Sequence, residues 1–338
     1  MEFLFEYGLF LAKAITIVVA ITAVILVIAA TKKSSSDEKG TLKIRDLSAK
    51  FASYKAQLQH EFLSEEALKA LAKEEKQQAK EEAKSQKGQA REGRLFVIDF
   101  KAGIDAAEVA NLRQEITALL TVAEEKDELL VRLESGGGMV HAYGLAASQL
   151  DRVRQANIPL TIAVDKVAAS GGYMMACVAN KVIAAPFAIV GSIGVIAQLP
   201  NFNKLLKKND IDFEMHTAGE FKRTITMFGE NSDEARAKFK QELEHTHGLF
   251  KAFIANYRPE LDLTKVATGE HWFGQQALEL GLIDALQTSD DYLMQCDKPI
   301  LQLQFLQKKN LAQRVGQSAE VVLERSALKL AELGQQPR

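Results

Sequence analysis

The chain is poor in the residues on which small disulfide-bonded or zinc-bound folds depend. Its 338 residues include only two cysteines, Cys177 and Cys296, which form no Cys-x-x-Cys pair. This argues against both a disulfide framework and a structural zinc site. The chain also lacks an excess of either charge, because Lys and Arg total 42, Asp and Glu total 44, and the net charge is −2. Proteins that hold nucleic-acid phosphates are usually more basic, so we expect no nucleic-acid partner.

What is present is the composition of an ordinary folded protein. Hydrophobic residues make up 47% of the chain and charged residues 25%, which excludes wholesale disorder. The length fits one domain of about 200–250 residues with additional segments.

One long run without charge lies near the N-terminus. Residues 14–31 carry no charged side chain and are flanked by Lys13, Lys32 and Lys33. About twenty apolar residues cross a bilayer as a helix, so we predict an uncleaved transmembrane anchor at 8–31, with Lys13 reaching the interface. A cleaved signal peptide would have a shorter core, and a buried helix of a soluble domain would not lead into a polar linker. The lysines and arginines after the run favour a cytoplasmic body by the positive-inside rule.

The segments on either side of the globular body are predicted from composition. Residues 32–93 are predicted to form a charged linker. Its first part, 32–45, is polar and is predicted to be a loop. Residues 46–92 are rich in Ala, Leu, Glu, Lys and Gln and contain no proline, which favours helix. Residues 71–87 have almost no apolar face and fit a solvated helix, a disordered stalk or a partner-binding surface. Residues 296–338 are expected to form a C-terminal tail that is partly helical.

Between these segments the pattern changes to alternating strands and helices. Strands are predicted at 95–100, 128–135, 159–165 and 181–186, and helices at 104–123, 139–156, 170–180 and 233–258. This alternation is typical of an α/β fold with a parallel sheet covered by helices. Ligand sites in such sheets lie at the carboxyl ends of the strands, where the glycine-rich turns of this sequence fall.

A second run without charge, residues 182–200, could be scored as another membrane span. Pro186, Gly191, Gly194 and Pro200 interrupt it. We therefore interpret it as buried strands and turns.

Two glycine-rich turns contain the first candidate catalytic groups. Ser135 is followed by Gly136, Gly137 and Gly138, and exposed backbone N–H groups after a strand can hold an oxyanion, although glycines also serve plain tight turns. Residues 169–173, Ala-Ser-Gly-Gly-Tyr, place Ser170 between small neighbours at a helix start, as a nucleophile or merely as an N-cap. The sequence is not a Gly-x-Ser-x-Gly elbow.

A serine nucleophile needs a base, and the histidines offer no obvious one. None of the six has a triad-like context, and each is read as surface or structural: His60, His141, His216, His245, His247 and His271. A lysine can serve instead when burial lowers its pKa towards neutrality. Lys222, beside apolar Phe221, is a candidate, although the residues alone do not single it out.

Five sequence segments, in a fixed order along the chain, distinguish between these interpretations of Ser170 and Lys222. They are ESGGGMVHA (134–142), DKVAASGGYMMACVANKVIAAP (165–186), VGSIGVI (190–196), GEFKR (219–223) and WFGQQALELGLID (272–284). Together they resemble the signal peptide peptidase A family of serine proteases. The resemblance covers residues 94–295, and the single repeat with an N-terminal anchor is similar to the SohB-like branch.

The resemblance implies a Ser–Lys protease on the crotonase-like fold that is shared with the Clp protease. Ser170 would be the nucleophile and Lys222 the general base, and the oxyanion hole would come from Gly137 or Gly138 together with Gly171. No metal and no cofactor are implied. One departure concerns the first turn, which is usually Asn-Ser-Pro-Gly-Gly in the family and is Glu-Ser-Gly-Gly-Gly at 134–138 here. Losing the proline softens the turn and leaves the choice of oxyanion donor open.

The resemblance also implies partners and a location. The substrates would be extended, apolar peptides near the membrane, such as remnant signal peptides. One repeat per chain would require a homo-oligomer in which Ser170 meets Lys222 of the next subunit. The protein would sit in the bacterial inner membrane with a periplasmic catalytic domain, against the Lys/Arg count, although long domains can translocate against that bias. Two alternatives remain open: a crotonase-type acyl-CoA enzyme that uses carboxylates, and a non-catalytic membrane scaffold.

Overall fold

The computed structural model describes residues 40–85, 93–219 and 221–307, together with five single positions between residues 8 and 16. Apart from those positions, the anchor predicted for 8–31 lies outside the described residues, as does the tail beyond 307. In the part of the chain that is described, no helix combines the length and the apolar character needed to cross a bilayer. Residues 42–305 form one compact unit, which contains the features discussed below.

Strands and helices alternate through this unit. The strands are β1 (Gly40–Asp46), β2 (Leu95–Lys101), β3 (Glu128–Glu134), β4 (Leu160–Val164), β5 (Val167–Ala169), β6 (Lys181–Ala184), β7 (Ile189–Gly191), β8 (His271–Phe273), β9 (Ala285–Leu286) and β10 (Ile300–Gln307). The helices are α1 (Leu47–Phe62), α2 (Glu65–Ser85), α3 (Val109–Leu120), α4 (Val140–Gln155), α5 (Gly171–Ala176), α6 (Asn203–Lys208), α7 (Asp233–Tyr257), α8 (Leu263–Val266), α9 (Gly274–Glu279) and α10 (Ser289–Met294).

Most of the strands belong to one sheet of seven, in the order β1-β10-β2-β3-β4-β6-β9. The pairs β10–β2, β2–β3, β3–β4, β4–β6 and β6–β9 are parallel, which confirms the predicted parallel α/β sheet. A second sheet has the order β5-β7-β8. The carboxyl ends of β3 and β5 meet at a bridge between Ser135 and Ala168, which brings the two glycine-rich turns together.

Both faces of the larger sheet are buried, as parallel sheets require. In β2, Phe96, Ile98 and Phe100 enter the main core. Leu95 and Val97 point to the opposite face and enter a second cluster, which includes Leu47 of α1, Leu130, Ala163, Ile183, Leu293 and Ile300. The alternation of side chains along a strand explains this division, and near-continuous apolar runs such as LFVIDF serve both faces at once.

Two sequence expectations at the margins of the domain are wrong. Residues 40–45 were expected in a loop and belong to strand β1, and 300–307 were expected in the tail and form strand β10. Ile300 pairs with Leu95, so the sheet extends beyond the boundary expected at residue 295. Helix was predicted correctly across most of 46–92, where α1 begins at an N-cap by Asp46, whose side chain accepts from the Ala49 N–H at 2.8 Å.

The uncharged run at 182–200 is not a membrane span. It contains β6 and β7, separated by a turn that includes Pro186, and continues as non-helical chain from Ser192 to Pro200. The interpretation as strands and turns is therefore confirmed.

A buried ion pair joins the starts of β2 and β3. Arg94 donates to Asp127 from its backbone N–H (2.7 Å), from Nε (3.0 Å) and from Nη2 (2.5 Å). The Glu124 N–H donates to the same carboxylate at 2.9 Å, and Asp127 is only 1% exposed. Burial by itself would raise the pKa of Asp127, but these donors outweigh it and lower the pKa to about 2.

We expect Asp127→Asn to lower the free energy of unfolding by about 2–4 kcal/mol, because it leaves the Arg94 guanidinium without its buried counter-charge. Asp233→Asn is a matched control, since it removes an exposed ion pair with Arg236 and should cost less than about 0.5 kcal/mol. The folded pKa lies below the unfolded value near 3.8, so the stabilising effect of Asp127 is fully present above pH 4 and is lost as the pH falls through about 2. Urea unfolding at several pH values measures both variants, and equal losses in the two would contradict the prediction.

Candidate active site

Two turns form the centre of the candidate site. The first, residues 136–138, follows β3, and the second, residues 170–172, follows β5. Ser135 connects the two turns through its backbone. Its N–H donates to the Val167 oxygen at 2.9 Å, and its carbonyl oxygen accepts from the Ala169 N–H at 3.0 Å. The sheet pairing therefore fixes the separation of the two turns.

Ser170 has an unusual backbone conformation. Its φ is 51° and its ψ is −117°, in a region that residues with a side chain rarely adopt and that concentrates at functional sites. The strain is held by a 2.7 Å hydrogen bond from its N–H to the Gly191 oxygen. The Ser170 hydroxyl caps no backbone N–H of α5. The alternative that this serine is merely an N-cap is therefore wrong, and its hydroxyl is available for chemistry.

The first turn approaches the second more closely than a side chain would permit. Gly137 has a φ of 86°, and a Cβ there would lie 2.7 Å from the Ala169 oxygen, the Gly171 nitrogen and the Ser170 Cβ. Glycine is therefore required at this position both by its conformation and by the space.

The three candidate oxyanion donors are not equivalent. The Gly137 N–H donates to the Ser135 hydroxyl oxygen at 3.0 Å and is therefore already engaged. Among the described residues, neither the Gly138 N–H nor the Gly171 N–H has an acceptor. Two free donors thus remain beside the Ser170 hydroxyl.

A cavity of about 820 Å³ opens over these turns. Its wall contains Ser170 and Ser192, the three glycines of the first turn, and a larger set of mostly apolar residues: Ile104, Met139, Val140, Gly194, Val195, Ile196, His247, Thr268 and Gly269. Burial raises the pKa of the Cys177 thiol to about 12, so this cysteine stays protonated and does not compete as a nucleophile.

Part of this cavity wall was not predicted from the sequence. Residues 192–196 belong to the uncharged run and to the family-like segment 190–196, but neither gave them a place in the site. His247, which the sequence analysis treated as surface or structural, approaches the Ile193 oxygen with Nε2 at 3.2 Å. Their position in the cavity wall has no local signal, because α7 and the segment after β7 come together only in the folded chain.

Lys222, the predicted base, lies elsewhere in this single chain. Its side chain is exposed, and its backbone N–H donates to the Gly219 carbonyl oxygen at 3.2 Å within a turn. It is not among the described residues that line the Ser170 cavity. The structure therefore brings together Ser170, Gly137, Gly138 and Gly171, and it leaves Lys222 apart from them.

Comparison with known proteins agrees with a hydrolytic site. The family model described as "Peptidase family S49 N-terminal" matches residues 2–150, and the model described as "Peptidase family S49" matches residues 152–302. Together the two models span most of the chain, including both glycine-rich turns.

Curated relatives match over nearly their whole length. A "Probable protease SohB" of Haemophilus influenzae is 48% identical over 330 residues, which cover 94% of each chain. A second "Probable protease SohB", from Buchnera aphidicola subsp. Schlechtendalia chinensis, is 48% identical over 303 residues, covering 87% of this chain and 99% of the relative. Among solved structures, a complex of the 1510-N membrane-bound stomatin-specific protease with a substrate peptide covers 67% of this chain and 97% of that one, at 15% identity and a TM-score of 0.42. An identity and a TM-score this low add nothing to the family assignment. The two family models and the SohB relatives show that the chain belongs to peptidase family S49, the signal peptide peptidase A family, and to its SohB-like branch.

Proposed function

We propose that the protein is a serine endopeptidase in which Ser170 attacks the carbonyl carbon of a peptide bond, on a fold of the crotonase and Clp protease type. The observation that carries the proposal is the Ser170 hydroxyl, which caps no N–H of α5. It lies on a strained backbone in a cavity wall, beside two N–H groups that have no acceptor among the described residues. Attack forms a bond from Oγ to the carbonyl carbon and places a negative charge on the carbonyl oxygen. The base takes the Oγ proton and later delivers it to the leaving amine, and water then releases the acyl group.

The oxyanion donors in this proposal are the N–H groups of Gly138 and Gly171. The engagement of Gly137 with Ser135 favours Gly138 over Gly137 as the first donor. In other acyl-transfer enzymes, removing one such donor costs about 10²–10³-fold in rate.

Lys222 is proposed to act as the base on the Ser170 of a neighbouring subunit. This is supported by its exposure and by its absence from the cavity wall of its own chain. The segment around it also exposes large apolar side chains, since Phe213, Met215 and Phe221 are 42%, 44% and 49% exposed. An oligomer interface would cover these side chains and would provide the desolvation that a neutral lysine needs.

The proposed substrates are extended, apolar peptides near a membrane, such as remnant signal peptides. The mostly apolar lining of the cavity supports this class. A smaller recess of about 20 Å³ also adjoins Ser170 and is bounded by Met174 and Phe250, so it has room only for a small group. The uncharged run at 14–31 supports a membrane anchor, and we place the catalytic body on the periplasmic face of the inner membrane.

Ser170→Ala should lower peptide hydrolysis by more than about 10³-fold while leaving the fold intact, because it removes the attacking oxygen. It should also abolish labelling by a fluorophosphonate probe, which reacts with activated serines. Ser148→Ala is the matched control, since the hydroxyl of this exposed serine on α4 donates to the Gly144 oxygen of the same helix and its loss should leave both readouts unchanged. Wild-type rates in a folded Ser170→Ala protein would end the proposal, and an acyl-CoA enzyme or a scaffold would not label at Ser170.

A dyad shared between subunits predicts complementation. Ser170→Ala and Lys222→Ala are each expected to be inactive, but co-assembly at equal amounts should restore about one quarter of wild-type activity, because about one interface in four then pairs an intact serine with an intact lysine. Co-assembly of Ser170→Ala with the double variant serves as the control and should restore nothing. Mixed oligomers that form without regaining activity would show that the dyad lies within one chain.

A periplasmic body predicts accessibility from outside. Protease added to intact spheroplasts should digest residues 94–295, whereas a cytoplasmic marker protein stays protected. The Lys/Arg bias after residue 31 favours the opposite outcome, but long domains can cross the membrane despite flanking lysines. Protection of the body until the spheroplasts are opened would place it in the cytoplasm.

A further inference from the structure

Two buried hydroxyl groups lie directly beneath the first glycine-rich turn. Ser135 is 2% exposed and Tyr143, on α4, is 0% exposed. Their side-chain oxygens are within hydrogen-bond distance of each other. The Tyr143 oxygen also lies 2.7 Å from the Gly103 oxygen and 3.5 Å from the Ala102 oxygen, so the pair connects the turn after β3 to the loop after β2.

The direction of these hydrogen bonds follows from counting protons. Tyr143 has one hydroxyl proton, and the carbonyl oxygen of Gly103 can only accept, so Tyr143 donates to Gly103. Ser135 must then donate its own proton to the Tyr143 oxygen, and its remaining lone pairs accept the Gly137 N–H. The result is a single chain from the Gly137 N–H through Ser135 and Tyr143 to the Gly103 oxygen. Burial raises the pKa of Tyr143 above its ordinary value, which keeps it a donor at working pH.

The ring of Tyr143 contacts the second turn as well. A Cβ on Gly171 would lie 2.4 Å from the Tyr143 Cγ, so the ring packs against the backbone of Gly171. A Cβ on Gly172 would lie 2.6 Å from the backbone carbonyl oxygen of Ser135. One tyrosine therefore supports both turns, the first through its hydroxyl and the second through its ring.

The first turn needs such support because its sequence provides little stiffness. Three consecutive glycines have the widest conformational freedom of any tripeptide. The neighbouring Met139 N–H donates to the Ile104 oxygen at 2.8 Å, which holds the far end of the turn. The near end is held by the bond from Gly137 to Ser135, and the orientation of that serine depends on Tyr143.

We propose that Tyr143 and Ser135 are positioning residues that hold the Gly138 and Gly171 N–H groups in register for the oxyanion formed at Ser170. The inference rests on the proposed serine peptidase function and deepens it. Because the support acts on the tetrahedral state and not on the resting peptide, its loss should reduce turnover more than substrate binding.

The main test is Tyr143→Phe, which keeps the ring against Gly171 and removes only the hydroxyl. We expect kcat for a fluorogenic peptide to fall by about 10- to 100-fold, with KM changed by less than about twofold. The inhibition constant of a peptidyl boronic acid, which becomes a tetrahedral anion on Ser170, should rise by the same factor as kcat falls. The affinity of the uncleaved peptide for the Ser170→Ala background should not change when Tyr143→Phe is added.

Tyr173→Phe is the matched control. Tyr173 is also 0% exposed, and its hydroxyl donates to the Leu282 oxygen at 2.9 Å, away from both turns. Tyr143→Phe loses two buried hydrogen bonds, one to Gly103 and one from Ser135, whereas Tyr173→Phe loses one. Both should therefore lower the melting temperature, Tyr143→Phe by more, but Tyr173→Phe should keep kcat within about twofold of wild type. If Tyr143→Phe lowers the melting temperature and leaves kcat and boronate inhibition unchanged, the residue is only structural and the inference is wrong.

Ser135→Ala provides a second, smaller perturbation. It should reproduce the kcat loss, and the double variant should be no worse than the more impaired single variant, because both remove the same chain of hydrogen bonds. Additive losses would mean that the two hydroxyls act separately and would overturn the inference. Wild-type protein tests the proposed function independently: if its hydrolysis does not depend on Ser170, the function itself fails, whereas Ser170-dependent hydrolysis that survives Tyr143→Phe defeats only this inference.

Discussion

The candidate site depends on two turns that meet backbone to backbone. A Cβ at Gly137 would lie 2.7 Å from the Gly171 nitrogen, and a Cβ at Gly172 would lie 2.6 Å from the backbone oxygen of Ser135, which directly precedes the first turn, so no side chain fits between the two turns. The positions of the N–H groups around Ser170 are therefore set largely by sheet pairing and main-chain contacts, with the buried side chains of Ser135 and Tyr143 packed against them. Donors fixed in this way need no reorganisation when charge develops on a substrate, which is the basis of electrostatic preorganisation.

Local patterns in the sequence were sufficient for the centre of the fold but not for its edges. The inner strands β2, β3, β4 and β6 are apolar runs bounded by polar or turn residues, and each was predicted close to its observed bounds. Strands β1 and β10 were not predicted, because GTLKIRD was assigned mainly to a polar loop and ILQLQFLQ to the C-terminal tail, although alternating polar and apolar residues are typical of a strand with one buried face. Their strand conformation is stabilised by neighbours that are distant in sequence, and a local window contains no information about those neighbours.

The candidate site, too, was predicted only in part from the sequence. Ser170 and the glycine-rich turns follow from short motifs and from the family resemblance, whereas the choice between Gly137 and Gly138 depends on which N–H the Ser135 hydroxyl already engages. The wall formed by residues 192–196 and His247 required tertiary structure. The relation of Lys222 to Ser170 stays a prediction, because Lys222 is exposed and does not line the Ser170 cavity in the described part of one chain.

The strand order also determines when the sheet can be completed during synthesis. Strand β10 lies between β1 and β2, so the two strands that leave the ribosome first are joined only by one that leaves much later. Until Ile300 reaches Leu95, β2 keeps an unpaired edge and its apolar residues remain partly uncovered. Such long-range closure is slow and exposes a nascent chain to aggregation. The edge of β2 therefore stays open to pairing with other chains until residues 300–307 have been made.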